Sequence, residues 1–271
     1  MASPSDLDFA DIVSAFWTDG CCVLRSVVED PTIGIVRNAV ADMAGSDLAD
    51  LGALAGDTAP SKFRAGVDQW RSDARFLSLA THGVLPTAAA AVLRSERLWL
   101  YEDSVLVKDA GSAVATRWHT DDGYFHVDGT QLATMWVPLD PAPLAAGALR
   151  FLPGSHADGH RYRPTLFVID EAIPGTIGDQ PPDLAIDDPS AIGYDLDVGD
   201  LTIHHARTLH AASGNSTTTH RRAWSIRYCG DDAVIRQKPG APMKPGFEDI
   251  EPGTPIGIAA ARLGLIEATL G

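Results

Sequence analysis

The sequence predicts a single α+β domain over residues 1–271, with helices first and a β-sandwich or barrel at its centre. Three observations carry this prediction. Apolar residues in the first third recur at helical spacing. From residue 97 the chain breaks into short runs rich in β-branched and aromatic residues, separated by Gly, Pro and Asp. With 271 residues, 45% hydrophobic and 21% charged, the chain can bury a sizeable core.

Ser5 is placed to cap a first helix whose Leu7, Phe9, Ile12, Val13, Phe16 and Trp17 form an apolar stripe, with Gly20 past its end. Asp30-Pro31 opens a second helix in the N-cap and N1 pattern, running to about Met43. Residues 45–72 are polar and Gly-rich and read as a long mobile loop. Helical stretches follow around 73–82 and 86–95, the second started by Pro86. The helical part thus spans about 1–95 and a β core about 96–235.

LWLYEDSVLVKD, AVATRWHTD, TQLATMWVPLD and GALRFLPGS read as antiparallel strands. Residues 153–192, dense in Pro, Asp and Gly, are an excursion from the sheet. Strand character returns in YDLDVGDLTIHH, ARTLHAAS and RRAWSIRYCG, and residues 236–271 read as a wrapping arm. Helices followed by about eight strands give one domain rather than two.

Charge and cysteine content narrow the function. A formal charge of −15 disfavours nucleic acid and anionic membrane surfaces as partners, while leaving room for an anionic small molecule in a locally basic pocket. Cys21, Cys22 and Cys229 show no disulfide spacing and suit a reducing compartment. The N-terminus lacks a basic region followed by an apolar run, and no apolar stretch approaches a membrane span, so a cytoplasmic location without membrane contact is expected.

His119 and Asp121, at i and i+2 of a strand-like run, project to one face. Two imidazoles and a carboxylate hold non-haem Fe(II) while leaving positions open, so a third ligand from a neighbouring strand would complete a site. His210, before a Gly-Asn turn, is the best candidate; His204 and His205 compete, although adjacent strand residues cannot both face one metal. An H-x-D pair by itself arises readily by chance. In HRRAWSIRY, alternation groups Arg221, Ala223, Ser225 and Arg227 on one face and Arg222, Trp224, Ile226 and Tyr228 on the other. An inward Arg would require a carboxylate partner; the plain alternative is a strand-end Arg reaching solvent.

WHTD (118–121), WVPLD (136–140), GALRFLPGSH (147–156), GDLTIHH (199–205), TLHAASGN (208–215) and RRAWSIRYCGDDA (221–233) occur in order. Together they resemble the phytanoyl-CoA dioxygenase family of Fe(II)/2-oxoglutarate-dependent oxygenases over about residues 95–235, and GCCVLRSVV (20–28) is similar to that family's opening. The resemblance implies a double-stranded β-helix, or cupin-like jelly roll, with the N-terminal helices packed outside one sheet. It implies that His119, Asp121 and His210 ligate Fe(II) and that Arg221, with Arg222 as the lesser alternative, binds the distal carboxylate of 2-oxoglutarate. It also implies that Thr116 and Trp136 contact the co-substrate, and that O₂ is consumed as a small-molecule substrate is oxidised, with release of succinate and CO₂. Related halogenases carry a small residue in place of the carboxylate ligand, so Asp121 favours hydroxylation or a similar oxidation.

For the substrate, Lys62, Phe63, Arg64 and Trp70 in the expected loop, or Tyr124, Phe125 and His126 after the metal motif, are candidate walls, with core packing the competing reading for the aromatics. Lys108 and Arg150 read as surface charges. His156 is a weak substrate contact, its Gly-Ser-His being a structural turn. The competing functions are a cupin-like isomerase or lyase without 2-oxoglutarate, and a binding protein that has lost activity. Arg221 argues against the first, the intact triad against the second.

Overall fold

The computed structural model describes residues 9–43, 47–60 and 62–271; the Ser5 cap and Leu7 lie outside them. The chain runs α1 (Phe9–Asp19), β1 (Cys21–Leu24), α2 (Asp30–Asp42), β2 (Ala49–Asp50), β3 (Phe63–Val67), α3 (Ala74–Thr81), α4 (Val84–Leu93) and β4 (Trp99–Lys108). It continues with β5 (Thr116–His119), β6 (Val127–Asp128), β7 (Leu132–Pro138), β8 (Leu149–Phe151), β9 (Ile192–Gly193) and β10 (Leu201–His205). β11 (His210–Ala212), β12 (Arg221–Cys229), β13 (Val234–Ile235), α5 (Ile256–Leu263) and β14 (Ile266–Glu267) complete it.

The strands form a large antiparallel sheet in the order β1-β10-β7-β12-β4-β3-β2, with β14 pairing β4, and a smaller sheet β5-β11-β8-β9. Non-consecutive neighbours in both sheets, β1-β10-β7-β12-β4 and β5-β11-β8, give the jelly-roll arrangement. The helices cover the outer face of the large sheet: Phe16, Ile33, Val36, Leu85 and Leu93 share one core with Met135, Val137, Ile203, Trp224, Ile226 and Tyr228. Period-2 alternation sends the other set of side chains inward, toward the small sheet.

Several sequence expectations shift. The second helix is capped by Glu29, not Asp30, so Pro31 sits one position later than predicted, and Pro86 is the third residue of α4 rather than its first. The expected loop at 45–72 contains β2 and β3, and Phe63–Val67 pairs with Ser104–Lys108 as a strand of the large sheet; its Gly and polar residues concealed a strand whose inward Phe63 is buried. The tail folds into α5 and the edge strand β14 rather than a bare arm. All three cysteines are buried and unpaired. No single helix among the described residues is long and apolar enough to cross a membrane.

Trp224 is fully buried on the outer face of β12 and donates from Nε1 to Asp103 Oδ2 at 2.8 Å. Trp224→Ala leaves a cavity and reduces the buried Asp103 carboxylate to the Trp70 N–H as partner, and should cost about 3–5 kcal/mol, measured by chemical denaturation.

Beneath α1, His205 packs on Phe16 and Trp17, and burial with His156 nearby pulls its imidazole down to about 3. The unfolded chain takes up this proton below about pH 6.5 and the native state does not. Stability should therefore fall as pH drops from about 6.5 toward 3, and His205→Asn should make that dependence less steep in melts recorded across pH.

Candidate active site

The inward faces of the two sheets converge on three buried ligand-type side chains. β5 and β11 pair antiparallel with His119 directly opposite His210, which brings the rings to 4.2 Å between centroids. Each imidazole is fixed by its Nδ1–H: His119 donates to the Arg117 carbonyl at 2.8 Å and His210 to the Thr208 carbonyl at 2.9 Å. Both Nε2 atoms are thereby left as acceptors turned toward Asp121, the arrangement metal-bound histidines use. Asp121 Oδ1 lies 3.9 Å from His119 Nε2 and 3.8 Å from His210 Nε2, and among the described residues these three alone form a metal-compatible cluster, their ligand atoms within 4.8 Å of one another.

Asp121 reaches this position by a different route from the predicted one. β5 ends at His119, and Asp121 has a helical backbone (φ −72°, ψ −34°) at the start of a tight turn over Asp122–Tyr124. Strand alternation therefore does not align it with His119. The Asp122 N–H on the Ala206 carbonyl and Thr134 Oγ1, which donates to Asp121 Oδ2, hold the carboxylate in place. Similarly, His210 begins β11 instead of ending a strand.

The two competing histidines separate as alternation requires. His205 points outward to α1, its Nε2 donating to the Thr130 carbonyl at 2.9 Å. His204 points inward, with Nε2 3.4 Å from Asp121 Oδ2, the oxygen turned away from His119 and His210. It is a neighbour of the carboxylate that the sequence did not assign.

The charge states suit a cation. Burial and the neighbouring His210 pull His119 down to about 3, and burial with His204 pulls His210 down to about 4. Burial pushes Asp121 up, but His210 and His204 outweigh it and hold the carboxyl well below the usual range. At neutral pH the cluster is two neutral imidazoles and one carboxylate, a net −1 in a buried site with His119 Nε2 unpartnered.

Arg221, Ser225 and Arg227 line the same cavity as the triad, with Thr116, Thr134, Trp136, Phe63 and Phe167, so the predicted face of β12 holds. Arg222 faces the other way in a bidentate pair with Asp140 at 2.7 and 2.9 Å, which removes it as the alternative. Arg221 is buried without any carboxylate within 4 Å: Nε and Nη2 donate to the carbonyls of Ala146 and Gly147 at 3.3 and 3.1 Å, and Nη1 has no partner. Burial lowers it to about 10, so it stays charged at neutral pH. Trp136 lies under it at 5.4 Å with a buried, unpartnered Nε1–H.

Lys108 corrects the sequence reading. It is fully buried, opposite Arg221 on β4, and its Nζ donates to the Ser213 carbonyl at 2.5 Å. Burial and Arg221 pull its ammonium well below the usual value. A charged residue at a strand end reads as surface unless the register is known. Phe167 was also missed: it comes from the 153–192 excursion, has φ +69° and places its ring 4.8 Å from His119. No periodic signal marks such a residue.

Among the substrate candidates, Phe63 reaches the cavity. Lys62 and Arg64 pair with Asp50 and Asp109, and Trp70 and Phe125 are core. Tyr124 packs edge-on to His119 while donating to the Thr165 carbonyl at 2.9 Å. His126 donates to the Pro242 carbonyl and accepts from the Lys238 N–H. His156 contacts Trp17 and His205, away from the cavity. The next residues after Asp121, Asp122 and Gly123, line a separate cleft of about 520 Å³ with Arg161, Tyr162, Arg236 and Lys238.

The phytanoyl-CoA dioxygenase family profile matches residues 16–223, and the chain belongs to that family, within the Fe/2-oxoglutarate-dependent oxygenase superfamily. A probable alpha-ketoglutarate-dependent hypophosphite dioxygenase of Stutzerimonas stutzeri is 30% identical over 141 residues, 51% of this chain and 47% of that protein. A phytanoyl-CoA dioxygenase domain-containing protein 1 homolog of Caenorhabditis elegans is 27% identical over 113 residues, 40% of this chain and 38% of that protein. The chain thus spans less than half the length of these relatives.

Among solved structures, the alpha-ketoglutarate-dependent carbocyclase SnoK of nogalamycin biosynthesis superposes with a TM-score of 0.73 at 20% identity, over 99% of each chain. The epimerase SnoN, in complex with Fe³⁺, alpha-ketoglutarate and nogalamycin RO, gives 0.71 at 24% identity, over 93% of this chain and 96% of that one. At these identities the structures establish the shared fold.

Thr134→Val removes the hydroxyl that positions Asp121 while keeping side-chain volume. It should weaken divalent-metal binding about 10–100-fold, read by calorimetric titration of Mn(II) or Co(II), with circular dichroism unchanged.

Proposed function

We propose that this chain is an Fe(II)/2-oxoglutarate-dependent dioxygenase that hydroxylates a small-molecule substrate, with succinate and CO₂ released. The observation that carries the reading is Arg221, a buried guanidinium in the cavity of a His-Asp-His cluster with no carboxylate partner among the described residues. An isolated buried charge costs several kcal/mol, and the distal carboxylate of a bound dicarboxylate offsets that cost. An isomerase or lyase without 2-oxoglutarate has no use for such a cation.

In this reading His119, Asp121 and His210 hold iron on one face, leaving positions open for 2-oxoglutarate and O₂. When bound, iron supplies O₂ activation coupled to decarboxylation of 2-oxoglutarate. The residues of the chain orient and shield. Arg221, with Lys108 beside it across the strand pair, receives the distal carboxylate; Trp136 offers its free N–H along the path toward the metal, and Thr116 lines the same wall. Thr134 and His204 keep Asp121 Oδ2 engaged so that Oδ1 faces the metal position. Phe63, Phe167 and Leu106 line the cavity with apolar surface, which strengthens the polar contacts within it. Asp121 occupies the position that related halogenases leave to halide, which favours oxygen insertion.

Anaerobic addition of Fe(II) and 2-oxoglutarate should produce a weak visible charge-transfer band that His210→Ala abolishes; a wild-type protein without the band overturns the proposal. Arg221→Gln should weaken 2-oxoglutarate binding by roughly 1.5–3 kcal/mol, the range for a hydrogen bond to a charged group, with metal affinity retained. Lys108→Met should weaken it in the same direction by less, both measured by equilibrium titration of the band.

A further inference from the structure

The inner face of β12 carries a second arginine that the co-substrate reading leaves without a role. Arg227 lines the triad cavity and is 9% exposed. It lies six residues beyond Arg221, roughly 20 Å along a strand rising about 3.3 Å per residue. The register places it in one cross-strand row with Glu102, Thr134 and His204. It therefore stands level with the groups that contact Asp121, while Arg221, with Lys108 opposite it on β4, lies toward the other end of the strand.

Its hydrogen bonding is incomplete. Nη1 donates to Ser104 Oγ, and Nε is buried without a partner. The facing carboxylate, Glu102 Oε1, is 3.6 Å from Nη1, an ion-pair contact beyond normal hydrogen-bond length. Glu102 is also shared: its Oε2 meets Lys244 Nζ at 2.8 Å, and that ammonium reaches Asp68 Oδ2 at 2.8 Å as well. Lys244 belongs to the tail segment that also braces the turn after Asp121, through Lys238 Nζ on the Asp122 carbonyl and Pro242 O on His126.

Resting on the reading above, we infer that Arg227 is the primary-substrate anchor and that the substrate carries an oxoanion head group, a carboxylate or a phosphonate-type group. A guanidinium presents paired N–H donors in a fork that matches two oxygens of such a group. The incoming anion supplies the partner that Nε lacks and competes with Glu102 for Nη1. Because Arg227 sits at the level of the metal cluster, an anchored head group brings the adjoining carbon or heteroatom to the reacting position. A neutral isostere leaves the buried N–H unpaired, which gives discrimination against it.

The test uses anaerobic protein loaded with Fe(II) and 2-oxoglutarate, titrated with methylphosphonate, propionate and neutral propionamide, read by calorimetry and by displacement of the visible band. The inference predicts binding and a band shift with the two anions and neither with propionamide. Arg227→Gln should lower anion affinity at least tenfold with the band and 2-oxoglutarate affinity intact; Arg227→Lys should fall between, and Glu102→Gln should tighten anion binding several-fold. Equal anion binding by wild type and Arg227→Gln, absence of anion binding by wild type, or loss of 2-oxoglutarate affinity in Arg227→Gln overturns the inference. Should Arg227→Gln fail to fold, Arg227→Lys and Glu102→Gln decide in the same directions. Absence of the band itself in wild type overturns the co-substrate reading instead, which keeps the two failures distinct.

Discussion

Along β12, successive side chains leave on opposite sides of the large sheet, and the two sides meet different environments. Trp224, Ile226 and Tyr228 enter the apolar core under the helices, whereas Arg221, Ser225 and Arg227 enter a polar cavity. A one-residue slip would drive guanidinium groups into the helical core and indole into the cavity. β12 is flanked on both sides, by β4 and β7, so its register is over-determined. That fixed register carries Lys108 opposite Arg221 and Thr134 opposite Arg227, and through Thr134 it reaches Asp121.

The small sheet supplies the other half by a second pairing. His119 opposite His210 is a cross-strand pair, so the distance between the two imidazoles is set by β geometry rather than by loop conformation. The carboxylate is held differently, by a turn and by hydrogen bonds from the facing sheet. The metal-compatible cluster exists only when the two sheets are closed on one another, which ties the site to the integrity of the whole fold.

The cavity is electrically uneven. At one end Arg221 donates to carbonyl oxygens above the Trp136 ring, and at the level of the triad Arg227 shares Glu102 with Lys244. A chain of formal charge −15 thus buries two guanidinium groups along one strand face. Net charge describes the outer surface and gives no guide to such an interior.

By itself the sequence determined what local periodicity and residue chemistry determine: helices preceding strands, the two faces of β12 and the triad residue types. Ordered motifs then selected His210 from three nearby histidines. It failed where long-range pairing decides. β3 appears as a loop until β4 lies beside it, Asp121 reaches the site through a turn that the H-x-D spacing does not encode, and Lys108 reads as surface until its strand is placed inside a sheet. Phe167 enters the cavity from an irregular excursion, and Arg227 acquires significance only from the row it shares with Thr134. Burial and cross-strand register depend on residues a hundred positions away, so only the tertiary structure could decide them.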